Sequence, residues 1–331
     1  MWDLFNLYYA RFEEFLLQEI VMPVLYWTGG MGYADDAVGG VDWFVLGLIQ
    51  VLIIACLIAP LEKIFPAEKI SAEHTSARRI AVAIDIFYTL IHRLGVFRLV
   101  LFFSVQPVAD ALFGEARVAG FPTFHVDQVW PGVTDIAWVS FLIYLLIFDA
   151  VDYFYHRAQH RYAWFWSLHA VHHSQRQMTM WSDNRNHLLD SLLRSIVFVF
   201  IAKLVGVPPG QFVLIVVLTQ LVESYSHANI RLSFGGLGDR LLVSPKFHRY
   251  HHSIEYSEST AGPAKGHNFS VLFPLWDILF KTARFDTPYA KTGIHDQLPE
   301  EGGRDYGRGF LAQQWLGLRR LLGSQTAGFP R

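Results

Sequence analysis

The sequence predicts an all-α fold, an integral membrane helical bundle, and three observations carry that prediction. The 331-residue chain is 52% hydrophobic and 15% aromatic. Its charged fraction is only 17%, below the roughly 25% of soluble domains. Ten of its fifteen histidines fall between positions 156 and 252, close to long apolar runs. A bundle of spanning helices that carries a histidine-rich cap at one membrane face satisfies all three.

Taken in order, residues 43–61 are uncharged and bounded by Asp42 and Glu62, the clearest spanning helix. Residues 80–109 form a second apolar stretch interrupted by Asp85, His92, Arg93 and Arg98, to be read as one tilted span or a broken pair. Residues 133–148 form a third span that runs on helically into Asp149, Asp152 and His156. Residues 188–203 and 211–222 flank Val207-Pro208-Pro209-Gly210, a strong turn signal, and read as a tight helical hairpin. From about Lys281 the chain is polar. The N-terminal stretch mixes aromatics with Asp3, Glu13 and Glu14 and does not read as a secretory signal.

Basic residues orient the bundle. Residues 62–79 carry Lys63, Lys69, Arg78 and Arg79, whereas 110–132 carry only Arg117. Residues 154–187 and 227–252 are again rich in Arg and Lys. The positive-inside rule then predicts an outside N-terminus, several crossings, and histidine clusters on the cytoplasmic face. The net charge of −2 comes without a concentrated basic patch, so no nucleic-acid partner is expected. The lone Cys56 excludes an intramolecular disulfide and any cysteine-built zinc or iron–sulfur site.

The chemistry lies in three clusters: His156-Arg-Ala-Gln-His160, His169-Ala-Val-His172-His173 and His248-Arg-Tyr-His251-His252. Residues three and four apart share a helix face, so each cluster aims two or three imidazoles at one point. Eight such nitrogens exceed the needs of one ion and predict two metals. Imidazoles in this number suit a redox-cycling pair, and two iron ions (with zinc as a surrogate) are expected, with O2 as co-substrate. Asp149, Asp152, His156 and His160 form one stripe. The two aspartates are assigned to the catalytic centre as acceptors of ligand ring N–H groups, Asp152 toward His156 or a neighbouring ring. His187 and His227 are further candidate ligands and His267 a weaker one. His74, His92, His125 and His295 read as ordinary surface or interfacial residues.

These boxes, with Asp152-Tyr-Phe-Tyr-His156-Arg, Arg185-Asn-His187, Pro245-Lys-Phe-His248, Asn268-Phe269 and Leu275-Trp276-Asp277, resemble the fatty acid hydroxylase / sterol desaturase superfamily. The resemblance covers about 133–285. It implies a catalytic domain there, preceded by an N-terminal membrane region at 1–132 and followed by a polar cytoplasmic tail at 286–331. It also implies O2-dependent di-iron oxidation of a membrane lipid at the cytoplasmic face, with hydroxylation of an acyl chain or polar lipid as the leading outcome and sterol-type desaturation as the alternative. Two positions depart from the pattern, Gly266-His267 before the Asn-aromatic pair and Phe280-Lys281-Thr282 where Phe-Gly-Thr is common. A bis-histidine haem carrier would need single histidines facing each other within spans, and a metal transporter would place ligands near the midplane. The sequence has neither pattern. With no fused haem donor signature, a separate reductase, ferredoxin or cytochrome is expected to supply electrons. The C-terminus carries no ER retrieval signal, which points to a bacterial inner membrane.

Overall fold

The computed structural model describes residues 2–69, 75–121, 124–255 and 266–323. His74 and the last eight residues lie outside them. Among the described residues the fold is helical and has no strand, only isolated bridges such as Pro66 with Ile230. The helices are α1 (Trp2–Phe15), α2 (Met22–Thr28), α3 (Ala34–Ile53), α4 (Ala59–Ile64), α5 (Thr75–Arg93), α6 (Val96–Val118), α7 (Ala137–Arg161), α8 (Ala163–His173), α9 (Leu188–Val205), α10 (Pro209–His227), α11 (Gly235–Leu241), α12 (Pro245–His251), α13 (Leu275–Leu279) and α14 (Phe310–Leu321). Short π-helical turns join α1 to α2 and α3 to α4.

Among the described residues, three helical stretches are long and apolar enough to cross a membrane: Met31–Ile64, Val96–Val118 and Ala137–Arg161. The 80–109 stretch is a broken pair. It divides between α5 and α6 at Gly95, whose φ of 85° lies in the left-handed region that glycine enters without steric cost. The hairpin at 207–210 forms as the prolines dictate. Pro209 opens α10, where its missing N–H costs nothing.

Polar side chains bring α5 onto the segment between α8 and α9. Arg93 donates to Gln50 at 2.5 Å, Asp183 at 2.7 Å and Ser224 at 3.1 Å. Asp85 accepts from Arg185 at 2.9 Å and from Gln175 and Ser182. These groups are buried, and removing one partner of such a pair costs about 3–5 kcal/mol. The α3–α5 crossing is closer than a side chain allows, since a Cβ on Gly47 would lie 1.8 Å from the Arg93 carbonyl oxygen.

The C-terminal segment, expected as a polar tail, folds back. Its helix α14 packs along α8, and Trp166, Ala170, Ile294 and Tyr306 form a buried cluster beneath it. Residues 1–42, which the charge pattern treats as an outer segment, contain helices that pack against α3, with Tyr9 donating to Asp42 at 2.6 Å.

Candidate metal centre

Nine buried histidines converge in two adjoining groups: His156, His160, His169, His173 and His251 in one, and His172, His227, His248 and His252 in the other. Within each group the ligand nitrogens lie within 4.8 Å of one another. The helical repeat explains the sorting. His169 and His173 are four apart and share a face, while His172 turns about 100° away from its neighbour His173. His248 and His252 likewise go together and His251 goes to the other group. Each His-x2-His-His box is therefore divided between the two groups, and the rings of His173 and His252 stack where the groups meet, with centroids 4.2 Å apart.

Backbone carbonyls fix three of the rings. His156 Nδ1 lies 2.8 Å from the Phe269 oxygen, His251 Nδ1 2.7 Å from the His267 oxygen and His227 Nδ1 2.7 Å from the Glu223 oxygen. Each Nδ1 must donate its proton there, which leaves the Nε2 lone pair facing inward. The Nε2 atoms then crowd one another. His173 Nε2 is 3.1 Å from both His160 and His251, and His227 Nε2 is 3.1 Å from His172 and 3.0 Å from His248. One Nε2–H on His173 cannot serve both neighbours. The Nε2 atoms of His156 and His169 are buried with no hydrogen-bond partner. Such a set of inward lone pairs is poor as a hydrogen-bond network and fits metal ions.

Burial pushes His172, His173, His248 and His252 well below the usual imidazole value, with neighbouring rings adding to the effect. Burial also takes His251 down to about 3. Neutral imidazole is the ligating form.

The stretch 266–276, a loop running into the first turn of α13, carries two of the orienting carbonyls and is itself pinned by acids. Asp277 accepts from Phe269 N at 3.0 Å and Ser270 N at 2.7 Å. Asp149 accepts from Leu272 N and Trp276 Nε1, both at 2.9 Å, and from Phe273 N. Asn268, buried at φ 61°, donates to the carbonyls of Phe247 and Arg284. Asp149 thus acts through this loop, where a direct bond to a ligand ring was expected. Asp152 departs from expectation too. It pairs with Arg194 at 2.7 Å, and the His156 ring proton goes to Phe269. The carboxylate nearest a ligand ring is Asp190, 3.5 Å from His169 Nδ1 and bonded to Gln159 and Tyr155.

His187 is not brought to either group. Its Nδ1 accepts from Leu189 N as a helix cap, and its Nε2 meets the Gln314 carbonyl of α14 at 2.9 Å. His267 contributes its carbonyl to His251 and is itself in neither group. His227 sits in the four-histidine group. Asp190, Glu223 and Arg194 were not singled out from sequence. The signal for Asp190 and Arg194 is an acid and a base four apart within the apolar run of α9, and for Glu223 an acid in the apolar run of α10, since charge in such a helix calls for a partner.

A cavity of about 230 Å³ between α6, α9 and α10 opens onto both groups, with His156 and His169 from one and His172, His227 and His248 from the other in its wall.

Three curated proteins are similar to this chain in sequence. The chain is 28% identical to ornithine lipid hydroxylase OlsE of Rhizobium tropici over 279 residues, 82% of this chain and 74% of that protein. It is 26% identical to alkylglycerol monooxygenase of Caenorhabditis elegans over 53% of this chain and 34% of that protein. It is also 26% identical to alkylglycerol monooxygenase of Danio rerio over 45% of this chain and 31% of that protein. No solved structure matches. The fatty acid hydroxylase family profile matches residues 141–282, from the third span through the last box and its closing loop. The part of this chain that gathers nine imidazoles into two groups matches the fatty acid hydroxylase family, and the relatives support that superfamily.

Proposed function

We propose that this oxidoreductase is an O2-dependent di-iron hydroxylase of a membrane lipid, working at the cytoplasmic face of a bacterial inner membrane. The observation that carries the reading is the pair of buried histidine groups sharing one cavity. His156, His160, His169, His173 and His251 would hold one ion, and His172, His227, His248 and His252 the other. A pair of iron ions, when bound, supplies the reductive activation of O2 needed to oxidise an unactivated C–H bond. The chain supplies what surrounds that chemistry. The carbonyls of residues 223, 267 and 269 fix ring tautomers, Asp190 sits by the free nitrogen of His169, and helix packing keeps bulk water from the rings.

The relatives act on lipids by name, as an ornithine lipid hydroxylase and alkylglycerol monooxygenases. Apolar helices around the site give a lipid lateral access. Electrons come from a separate reductase, ferredoxin or cytochrome, and desaturation is the alternative outcome. Lipid mass spectrometry of a host with and without the gene tests the reading. A gene-dependent lipid heavier by one oxygen, formed only with O2, is expected. A lipid that loses two hydrogens and gains no oxygen would replace hydroxylation with desaturation.

A further inference from the structure

The cavity wall carries charge that the metal centre does not use. Arg194 on α9 donates through Nε to Asp152 at 2.7 Å and through Nη2 to Glu223 at 3.1 Å. Neither bond uses Nη1, which has no hydrogen bond among the described residues. The Arg194 side chain is 33% accessible, against 4% for Asp152 and 19% for Glu223, and all three line the cavity. The guanidinium therefore shows an unused donor edge to the space beside the histidines.

The trio sets one guanidinium against two carboxyl groups. The remaining charged residues of the wall are engaged elsewhere. Asp183 is paired with Arg93 at 2.7 Å, Asp190 faces Gln159 and His169, and the Arg98 guanidinium lies 3.3 Å over the Trp43 ring. An alkyl chain drawn in here would strip water from the guanidinium edge and the surplus carboxylate without replacing it, which is costly. A ligand bearing both an anionic oxygen and an ammonium would satisfy both.

The position of the trio matters as much as its charge. His156 follows Asp152 by four residues on α7, and His227 follows Glu223 by four on α10, so the grip lies about one helical turn, roughly 5.4 Å of rise, from a member of each histidine group. Farther toward the α9–α10 turn the cavity wall becomes apolar, with Phe198 and Val199 on α9 and Phe212 and Val216 on α10. Its volume, about 230 Å³, falls below the roughly 300–1,000 Å³ of pockets that enclose a drug-sized ligand. It suits a head group better than a whole lipid.

We infer that Arg194, clamped between Asp152 and Glu223, is a specificity-determining residue: Nη1 binds an anionic oxygen of an amino-acid-type lipid head group, Glu223 binds an ammonium on the same head, and the head group faces the metals while the acyl chains stay at the apolar end. This rests on the lipid hydroxylase reading and adds to it a substrate class and the region that is oxidised.

The test uses the full-length, metal-loaded protein in detergent with two probes: ornithine lipid, whose head carries a carboxylate and an ammonium, and phosphatidylglycerol, which is anionic without an ammonium. Native mass spectrometry without O2 measures retention of each lipid and does not depend on turnover. Wild type should retain ornithine lipid in preference. Arg194→Gln should weaken that retention at least about tenfold, the cost of one charge-assisted hydrogen bond, Arg194→Lys should restore part of it, and Glu223→Gln should erase the preference between the probes. Metal content should hold in all three variants. With O2 and reductant, tandem mass spectrometry should find the added oxygen in the head-group fragment, and Arg194→Gln should raise KM more than it lowers kcat. Equal retention of the two probes by wild type, or oxygen in the acyl fragment, would overturn the inference while leaving the hydroxylase reading intact. Loss of metal with unchanged lipid preference in Arg194→Gln would also overturn it and make the residue a helix staple. Selective retention without oxygenation of any lipid would support the clamp and count against the hydroxylase reading.

Discussion

At the scale of single residues, the structure separates histidines that look alike in sequence. His251 and His187 both sit beside helical segments and near other polar groups. The first points Nε2 into a ligand group, whereas the second spends both nitrogens on Leu189 N and the Gln314 carbonyl. His251→Ala should lower metal affinity by well over the roughly 10–100-fold typical of changes to an orienting partner. His187→Ala should leave about two ions per chain and cost about 1–3 kcal/mol through the unsatisfied carbonyl and amide. Metal analysis and thermal unfolding of the two variants check this, and loss of an ion from His187→Ala would contradict the placement. Lys281 gives a second prediction. It follows α13 with φ 60°, in the left-handed region that costs a non-glycine residue roughly 1–2 kcal/mol. The steric reason for a common glycine here is thus visible. Lys281→Gly should stabilise the protein by about 0.5–1 kcal/mol, because glycine relieves that cost but loses more chain entropy on folding. A lower unfolding temperature in Lys281→Gly would show that the lysine makes a compensating contact.

At the scale of elements, the helices and boxes were legible because their signals are local. An apolar run or a His-x2-His-His phrase needs only its own few residues, and the helical repeat alone divides His172 from His173. What escaped depends on chain segments far apart in sequence. The Phe269 carbonyl orients His156 from 113 residues away, and a backbone carbonyl carries no side-chain signal of that role. Asp149 was noticed for its place in a polar stripe, yet its partners come from the closing loop (Leu272 and Phe273) and from α13 (Trp276). The return of α14 onto α8 was hidden by the polar composition of the segment before it. The α3–α5 crossing makes the dependence on close packing testable. Gly47→Ala would place a methyl 1.8 Å from the Arg93 carbonyl oxygen, so the helices must part, at about 1–3 kcal/mol. Arg93 would be drawn from Asp183 as they do. A drop in unfolding temperature is expected, and an unchanged one would show that the crossing has slack.

At the scale of the whole molecule, the arginine and lysine pattern predicts which side of the membrane bears the metal centre. Reporters active only in the cytoplasm should work when fused after residue 180 and at the C-terminus, and fail when fused near residue 120. Activity at 120 would mean that α5 and α6 do not together carry the chain across, and the orientation would have to be rebuilt.

The division of each His-x2-His-His box has a consequence for loading. Helix α8 gives His169 and His173 to one group and His172 to the other, and 248–252 do the same in the opposite sense. An ion captured by either group therefore orders the helices that build its neighbour. Half-filled protein should be scarce, and a titration of the metal-free chain should rise sigmoidally from empty to doubly occupied.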